Sequence, residues 1–475
     1  MTTKANSQEN RGTFKELRTL TTGQAVAYAL PNAGVNAVLG ILVNFTIIYY
    51  VNIMGVPPII VGGLFSLAMY IYAFMCPVFG AICDKFETRF GRKKTIMLIS
   101  ALPYVIFFLV LYMNPVPPAD VEFGSIYLPI VLWLAVFLIG FRIVSSAFFS
   151  SYTSLLPELS TDEQNRIKVA TINMMIVIIG VAMGLLGPMI VLGETTEGLS
   201  RENPELYYPI SETGQAIRSG ILVFALIMAF FFLVAFIIMM VTIKEPQINA
   251  CEASVTEMFI DLMEPFKDKN CRTFLISYFL LWIPLVSLSY VLMNVITYIL
   301  ALRGSEYFIF AGVAFTAAII SFLVWNGLSA KLGLKKTTSI CLLIAIAGFL
   351  LVMPLALDLP HEIVIIYGFT IVCILLLGFV GSQIFPWAIL SDIIDSAEIR
   401  TGRSLSGPYS GAYNFVLSSA AATSMLIISI VLEIFGPTEK ISYALVFMLG
   451  SILLAIAVFI FQKVKIVGTD QRQRE

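Results

Sequence analysis

The chain alternates long apolar segments with short polar connections, and this feature limits its possible folds more than any other. Twelve segments hold roughly 20 or more residues, the length that crosses a bilayer as an α-helix. Hydrophobic residues make up 59% of the chain and charged residues only 12%, whereas soluble proteins contain about 25% charged residues. We therefore predict an all-α membrane protein with transmembrane helices over residues 22–51, 57–83, 95–113, 127–150, 167–193, 217–242, 273–299, 307–330, 336–357, 362–390, 404–435 and 439–464.

Basic residues are concentrated in alternate loops of this predicted topology. The two termini and the loops after the second, fourth, sixth, eighth and tenth helices hold 24 of the 29 lysines and arginines. The positive-inside rule then places both termini in the cytoplasm of a multi-pass protein of the cell membrane. The six cysteines fall in apolar runs or on the cytoplasmic side, so we expect free thiols rather than disulfides.

A dense cluster of charge between the second and third helices recurs in weaker form in the second half. Its sequence, at residues 80–95, is GAICDKFETRFGRKKT, and the basic turn at 331–337 follows about 242 residues later. A repeated turn between repeated helix pairs predicts two pseudo-symmetric six-helix halves. The predicted division is a tail at 1–20, a bundle at 21–242, a connecting loop with an amphipathic helix at 243–272, a second bundle at 273–464 and a tail at 465–475.

Three cytoplasmic turns carry acids and bases at helix ends, where backbone dipoles stabilise them. Charge pairs that break as the halves move apart would hold the protein in discrete states, whereas ordinary helix caps are the alternative interpretation. The candidate gate residues are Asp84, Arg89, Gly91, Arg92, Glu158, Asp162, Arg166, Asp392, Asp395 and Arg400.

The charged turn after the second helix resembles a family signature. It reads Pro77-x-x-Gly80-x-x-x-Asp84-x-x-x-x-Arg89-x-Gly91-Arg92-Lys93-Lys94. This pattern is similar to that of the glycoside–pentoside–hexuronide:cation symporters, the melibiose-carrier branch of the major facilitator superfamily. The turns at 154–162 and 391–395 match the same family. The resemblance implies the major facilitator fold, with twelve helices, a central substrate cavity and alternating access.

The chain departs from this family inside the membrane. Sodium-using members carry two aspartates on the second helix, at places held here by Tyr72 and Cys76. By the same spacing, the sugar-contacting acids of the first and fourth helices fall at Asn36 and Phe149, and a following tryptophan falls at Thr153. The resemblance therefore implies that the cytoplasmic turn is kept while the charged sugar and cation residues are absent.

No carboxylate lies near the middle of a predicted span. A sodium site needs several oxygen ligands and a proton relay needs a titratable group, so neither is evident. We expect no cofactor and no metal site, and coupling to Na⁺ or H⁺ stays open because amide and backbone oxygens also bind ions.

Arg142 is the one full charge deep within a span. A lone arginine at this depth costs about 2.5–3.5 kcal/mol or more, so it must face the bundle or water. Arg142, Ser145 and Phe149 share one face of the fourth helix with Ser146. Because Phe149 falls where the resembling family has a substrate-contacting acid, the resemblance implies that Arg142 lies two turns outward, in the external vestibule. Two interpretations remain: Arg142 binds an anionic or polyhydroxylated ligand, or it bonds to carbonyls and hydroxyls of a neighbouring helix.

Amide and aromatic side chains on other helices complete the candidate substrate site. Such groups suit sugar hydroxyls, although they also join transmembrane helices to one another. The substrate candidates are Asn36, Arg142, Ser145, Ser146, Phe149, Thr153, Tyr290, Asn294, Gln383, Trp387 and Tyr413.

These observations favour a secondary-type transporter of a small organic solute. The resemblance favours a sugar or glycoside, and the apolar residues at cavity positions leave a lysolipid or another amphiphile as the alternative. A membrane enzyme is disfavoured because the sole histidine, His361, lies at an external helix end. A receptor or scaffold that has lost transport is a further alternative. We expect the solute and membrane lipid as partners, no nucleic acid, and a monomer.

Overall fold

The computed structural model describes residues 19–85, 91–118, 121–122, 124–159, 163–195, 209–245, 263–302, 306–357, 359–401 and 406–465. The regular elements of these residues are helices. The first half contains α1 (Thr22–Ile47), α2 (Pro58–Lys85), α3 (Arg92–Leu111), α4 (Leu128–Leu159), α5 (Glu163–Thr195) and α6 (Glu212–Thr242). The second half contains α7 (Lys269–Asn294), α8 (Glu306–Leu332), α9 (Leu334–Leu351), α10 (His361–Ile384), α11 (Pro386–Thr401), α12 (Ser406–Phe435) and α13 (Lys440–Phe461).

Eleven segments in the described part of the chain are long and apolar enough to cross a membrane. The twelfth predicted span falls on α5, whose described apolar portion is Thr171–Leu185. Helices α10 and α11 form a single crossing interrupted before Pro386, which lacks the amide proton that a continuous helix needs. This crossing extends beyond its predicted end at residue 390, because its charged last turns remain helical although they are not apolar.

The connection between the halves is described only at its ends. Residues 246–262 of the predicted connection, with most of its amphipathic helix, lie outside the described residues. The part that is described forms a short 3₁₀-helix at Glu264–Phe266, followed by Asp268, which caps α7 by accepting from the Asn270 amide at 2.7 Å.

The basic turns of the two halves have the same local structure. Gly91 and Gly333 precede α3 and α9 with φ of 104° and 79°, a left-handed backbone that glycine adopts without strain. Lys94 Nζ donates to the Met240 and Ile243 carbonyls at 2.8 and 2.7 Å, at the end of α6. Lys335 Nζ donates to the Gln462 and Val464 carbonyls, both at 2.7 Å, just after α13. Each half thus binds the end of its last helix with a lysine of its basic turn, although Lys335 corresponds by sequence position to Lys93.

Helices α1 and α5 pack closely because glycine lies at their contact. A side chain at Gly180 would overlap the Ala33 carbonyl oxygen, and a Cβ atom at Gly184 would lie 2.9 Å from Gly40 Cα. Small residues that let backbones approach are the usual basis of helix packing in lipid. Gly180 and Gly184 therefore allow the close approach of α5 to α1.

We call the membrane side that carries Leu20 and Val464 the terminal side, and the side that carries Gly55 and Gly436 the far side. The halves touch each other on the far side. Asn294 Nδ2 donates to Asn52 Oδ1 at 3.1 Å, near the ends of α7 and α1. The Ile59 amide at the start of α2 donates to Glu433 of α12 at 3.1 Å. These contacts close the bundle on the far side.

Candidate functional site

A central cavity of about 630 Å³ lies between the halves, on the terminal-side half of their interface. The first half contributes residues of α2 and α4, and the second half contributes residues of α11 and α12. Most of the lining is apolar, and the lining residues used below are Tyr72, Cys76, Phe149, Thr153, Trp387 and Asn414.

Trp387 is one of two aromatic side chains, with Phe415, that the second half contributes to the lining of this cavity. It follows Pro386 at the start of α11 and is 49% exposed. The buried ring of Tyr413 packs edge-on against it, with ring centroids 4.9 Å apart. The break between α10 and α11 thus places a supported indole in the cavity wall.

A second cavity of about 300 Å³, the side cavity, lies within the first half. Its lining includes Asn32, Asn36, Tyr72, Tyr104, Arg142, Ser145, Phe149 and Asn173. Tyr72 and Phe149 line both cavities and therefore separate one from the other.

Arg142 lies near the middle of α4 in the wall of the side cavity. It is 4% exposed, and its guanidinium carbon is 5.1 Å from the centroid of the Phe65 ring. Nε and Nη2 have no hydrogen-bond partner among the described residues. Cation–π attraction compensates part of the cost of burial, but two buried donors stay unsatisfied.

An amide network holds the side cavity open between α1 and α5. Asn36 Nδ2 donates to Asn32 Oδ1 at 3.0 Å, and Asn32 Nδ2 donates to Asn173 Oδ1 at 3.1 Å. The Tyr152 hydroxyl donates to the same Asn173 oxygen at 3.2 Å, while its ring stacks on Tyr28 at 4.7 Å. The network fixes amide groups on one side of the cavity, opposite the α4 face that carries Arg142.

Residues 27–462 match the sequence profile of the family described as MFS/sugar transport protein. The chain belongs to this family. It is 26% identical over 380 residues to the isoprimeverose transporter of Lactiplantibacillus pentosus, covering 79% of this chain and 72% of the relative. It is 21% identical over 419 residues to the uncharacterized symporter YnaJ of Bacillus subtilis (strain 168), covering 87% of this chain and 83% of the relative.

Solved structures share the fold of this family member. The nucleoside transporter NupG superposes with a TM-score of 0.62 at 15% identity, over 94% of this chain and 100% of that protein. The inward-open xylose transporter XylE from E. coli gives a TM-score of 0.59 at 14% identity, over 94% and 96%. Both the major facilitator fold and the class of function follow: the chain is a secondary-type membrane transporter of small solutes and not an enzyme.

The two cavities of the transporter bring together many of the predicted site residues. Tyr72, Cys76, Phe149, Thr153 and Trp387 line the central cavity, while Asn36, Arg142 and Ser145 line the side cavity. The Ser145 hydroxyl donates to the Phe141 carbonyl at 2.6 Å. Arg142, expected in an external vestibule, lies in the wall of the side cavity, near the middle of α4.

Five other predicted residues lie outside the linings of these two cavities. Ser146 is buried and donates to the Ile143 carbonyl of its own helix at 2.7 Å. Tyr290 packs edge-on against the Phe65 ring that contacts Arg142, with ring centroids 5.4 Å apart, and Tyr413 supports Trp387. Asn294 belongs to the far-side contact, and Gln383 is half-buried near the end of α10.

Phe65 and Tyr104 were missed by the sequence analysis although both surround Arg142. Phe65 lies beneath the guanidinium, and the buried Tyr104 hydroxyl has no hydrogen-bond partner among the described residues. Both stand in apolar runs with no neighbouring polar pattern. Aromatic residues are ordinary in such runs, so only the packing of α2, α3 and α4 reveals their role.

The predicted gate is described in part. Arg89 and Asp162, and the side chains of Asp84, Glu158 and Arg166, lie outside the described residues. Asp392 and Asp395 lie on α11, and each takes part in a polar or electrostatic interaction.

The amide of Arg92, which follows Gly91, donates to Glu245 of the same half at 2.9 Å. Arg400 forms an ion pair with Asp268, also within its own half. The Arg92 amide bond and the Arg400 ion pair thus each lie within a single half.

Asp268 has a pKa below the usual value of a carboxyl group. Burial raises its pKa, but the hydrogen bond from Arg400 and those from the Cys271 and Asn270 amides outweigh burial and lower it. The ionised carboxylate is therefore the form that ties the start of α7 to the end of α11.

Proposed function

We propose that this transporter moves a sugar or glycoside through the central cavity by alternating access. The observation that carries the proposal is the cavity itself, which both halves line. Its volume of about 630 Å³ is within the range of small-molecule sites, about 300–1,000 Å³. The family description and the name of the isoprimeverose transporter support a sugar.

The lining of the central cavity supports the same class of solute. The half-exposed Trp387 ring offers an apolar face, and Thr153 and Asn414 offer polar groups on opposite halves. A sugar presents both C–H faces and hydroxyl groups, so a site of this kind pairs an aromatic anchor with a few polar side chains.

The distribution of basic residues supports termini in the cytoplasm, so the terminal side is the cytoplasmic side of the cell membrane. The described conformation is then the inward-facing one, with the far-side contacts as the external gate. Opening to the outside requires that the Asn52–Asn294 and Ile59–Glu433 contacts separate. We expect the protein to act as a monomer surrounded by bilayer lipid.

Energy coupling through a carboxylate on the second helix is not part of this proposal. Tyr72 and Cys76 hold the corresponding places, and both line the central cavity. A phenol and a thiol are ordinarily neutral near pH 7 and do not attract a cation as a carboxylate does. The proposal is therefore that transport is uncoupled from a cation. Coupling through a site of another kind is the alternative, and solute accumulation driven by an imposed ion gradient would reveal it.

Counterflow of labelled pentoses, hexoses and glycosides into proteoliposomes tests the proposal, because it detects transport with or without coupling. Trp387→Ala should reduce counterflow at least tenfold while the amount of folded protein stays unchanged. Trp133→Phe is the matched control, since Trp133 donates to the Val110 carbonyl outside the central cavity. Counterflow absent for every sugar tested, or equal in wild type and Trp387→Ala, would contradict the proposal.

A second candidate solute is a lysolipid or another amphiphile. A separate cavity of about 240 Å³ lies between α5 and the second half, and its lining is almost wholly apolar. Val181 and Leu185 line it from the first half, and Phe310 and Phe379 from the second. Such a cavity suits an acyl chain. Counterflow of a labelled lysophospholipid in the same proteoliposomes distinguishes this candidate from a sugar.

A further inference from the structure

We propose that the side cavity binds a small anion, such as chloride or a short carboxylate, with the Arg142 guanidinium as its counter-charge. This site goes beyond the proposed sugar transport, and its test does not depend on the identity of the sugar.

The first support is the unbalanced charge. Arg142 is only 4% exposed to solvent. The carboxylates of the described spans lie near helix ends, away from it. A buried cation is stable when an opposite charge or several acceptors accompany it. The Phe65 ring attracts the guanidinium by a cation–π contact. Nε and Nη2 nevertheless have no hydrogen-bond acceptor among the described residues.

The second support is the geometry of the unsatisfied donors. Nε and Nη2 form one edge of the guanidinium, where two N–H bonds point in nearly parallel directions. Both are free of partners among the described residues. This edge is the one that binds a carboxylate through two parallel hydrogen bonds, and it also binds a spherical anion between the two protons.

The third support is the chemistry of the remaining wall. The buried Tyr104 hydroxyl is a further donor without a partner among the described residues. No aspartate or glutamate lines the side cavity, and amide groups of Asn32, Asn36 and Asn173 face it from α1 and α5. The wall thus offers unsatisfied donors and one positive charge, which favours an anion over a cation.

The volume sets the size of the ligand. The side cavity holds about 300 Å³, whereas one water takes roughly 30 Å³ of liquid. A halide with several waters fits this space, and so does a small carboxylate with fewer waters. Tyr72 and Phe149 separate the anion from the central cavity, so its occupancy would act directly on residues that also line the central site.

Equilibrium binding of radiolabelled chloride and radiolabelled acetate to purified full-length protein in detergent tests the site. We expect saturable binding of at least one of the two anions by the wild type, near one per chain. Arg142→Gln should weaken this binding at least tenfold, and Arg142→Lys should retain part of it because the charge remains. Arg218→Gln should bind as the wild type does, since Arg218 donates to the Asn114 carbonyl on the far side.

No saturable binding of either anion by monodisperse wild-type protein would overturn the proposal, even if Arg142→Gln failed to fold. Unchanged binding in folded Arg142→Gln would also overturn it. Ser145→Val is a second variant that tests the location of the site, because it alters the wall of the side cavity and leaves the guanidinium in place. It should change the anion affinity, and unchanged affinity would count against this location.

The anion has two possible sources, a free ion or the acidic group of the transported solute. If a neutral pentose and chloride bind together, the anion is a separate ion. If a sugar acid displaces chloride in direct competition while a neutral pentose does not, the group belongs to the solute. Sugar counterflow without anion binding overturns this inference alone, and anion binding without sugar counterflow overturns the proposed function alone.

Discussion

The two halves share the structure of their turns but differ in their cavities. Gly91 and Gly333 begin equivalent helices, and Lys94 and Lys335 bind the end of the last helix in each half. In contrast, the polar side cavity with Arg142 belongs to the first half, and the second half contributes most of an apolar cavity. The turns that assemble each bundle are repeated, whereas the cavities differ between the halves.

The largest expected effect concerns helix packing in the first half. Gly180→Leu should destabilise the protein by about 1–3 kcal/mol or prevent its insertion, because the new side chain overlaps the Ala33 carbonyl. Gly312→Leu in α8 is the matched change in the second half, where a Cβ atom meets nothing within 4 Å. Thermal unfolding in detergent measures both, and equal midpoints for the two variants would contradict the contrast.

The repeated lysine contact should differ in strength between the halves. Lys94→Ala should lower the free energy of unfolding by about 1.5–3 kcal/mol, because removing the buried ammonium leaves two carbonyl groups without their donor. Lys335→Ala should cost less, since Lys335 is more exposed, and the exposed Lys336→Ala serves as the control. Thermal unfolding of the three variants checks this order, and a larger loss for Lys335→Ala would contradict it.

The far-side asparagine pair should control the population of the two open states. Asn294→Ala should favour opening of the far side by about 0.5–1.5 kcal/mol, the usual contribution of one hydrogen bond. Distances between spin labels on the far-side ends of α1 and α7 measure this shift. Asn44→Ala is the control, because Asn44 donates to the Gly40 carbonyl of its own helix. Equal distance distributions in both variants would contradict a gating role for the pair.

The smallest expected effect is the pH dependence of the Asp268–Arg400 pair. Because the pKa of Asp268 is lowered on folding, the pair stabilises the protein above the ordinary carboxyl pKa and stops doing so as pH falls through the lowered value. The contribution should be below about 1 kcal/mol, since the Arg400 side chain is 65% exposed. Asp268→Asn should remove this part of the acid-side loss of stability, and an unchanged pH profile would contradict the assignment.

The sequence was sufficient to predict the helical architecture because apolar length and basic loops are local patterns. The four described cysteines, Cys76, Cys271, Cys341 and Cys373, are free thiols as predicted. The tenth span was predicted too short because Asp392 and Asp395 end its apolar run, although α11 continues past them. An apolar pattern predicts which part of a helix lies in the membrane, but it does not predict where the helix itself ends.

The site was less predictable, since tertiary contacts decide which polar group faces a cavity. Asn294 resembled a substrate ligand in its sequence context, but it pairs with Asn52 at the far side. A signal was present: the two asparagines are 242 residues apart, the same separation as Gly91 and Gly333. Residues at equivalent positions of the two halves meet on the pseudo-symmetry axis, so this spacing favours a contact between halves over a ligand contact.

The central claim is sugar transport without the helix-2 carboxylates, and accumulation against an imposed gradient tests it most directly. Proteoliposomes should be supplied with a labelled sugar that shows counterflow, first with a sodium gradient and then with a proton gradient. The account predicts that uptake ends at equal concentrations on both sides, whichever gradient is imposed. Accumulation above the external concentration, abolished when one of these gradients is collapsed, would contradict it.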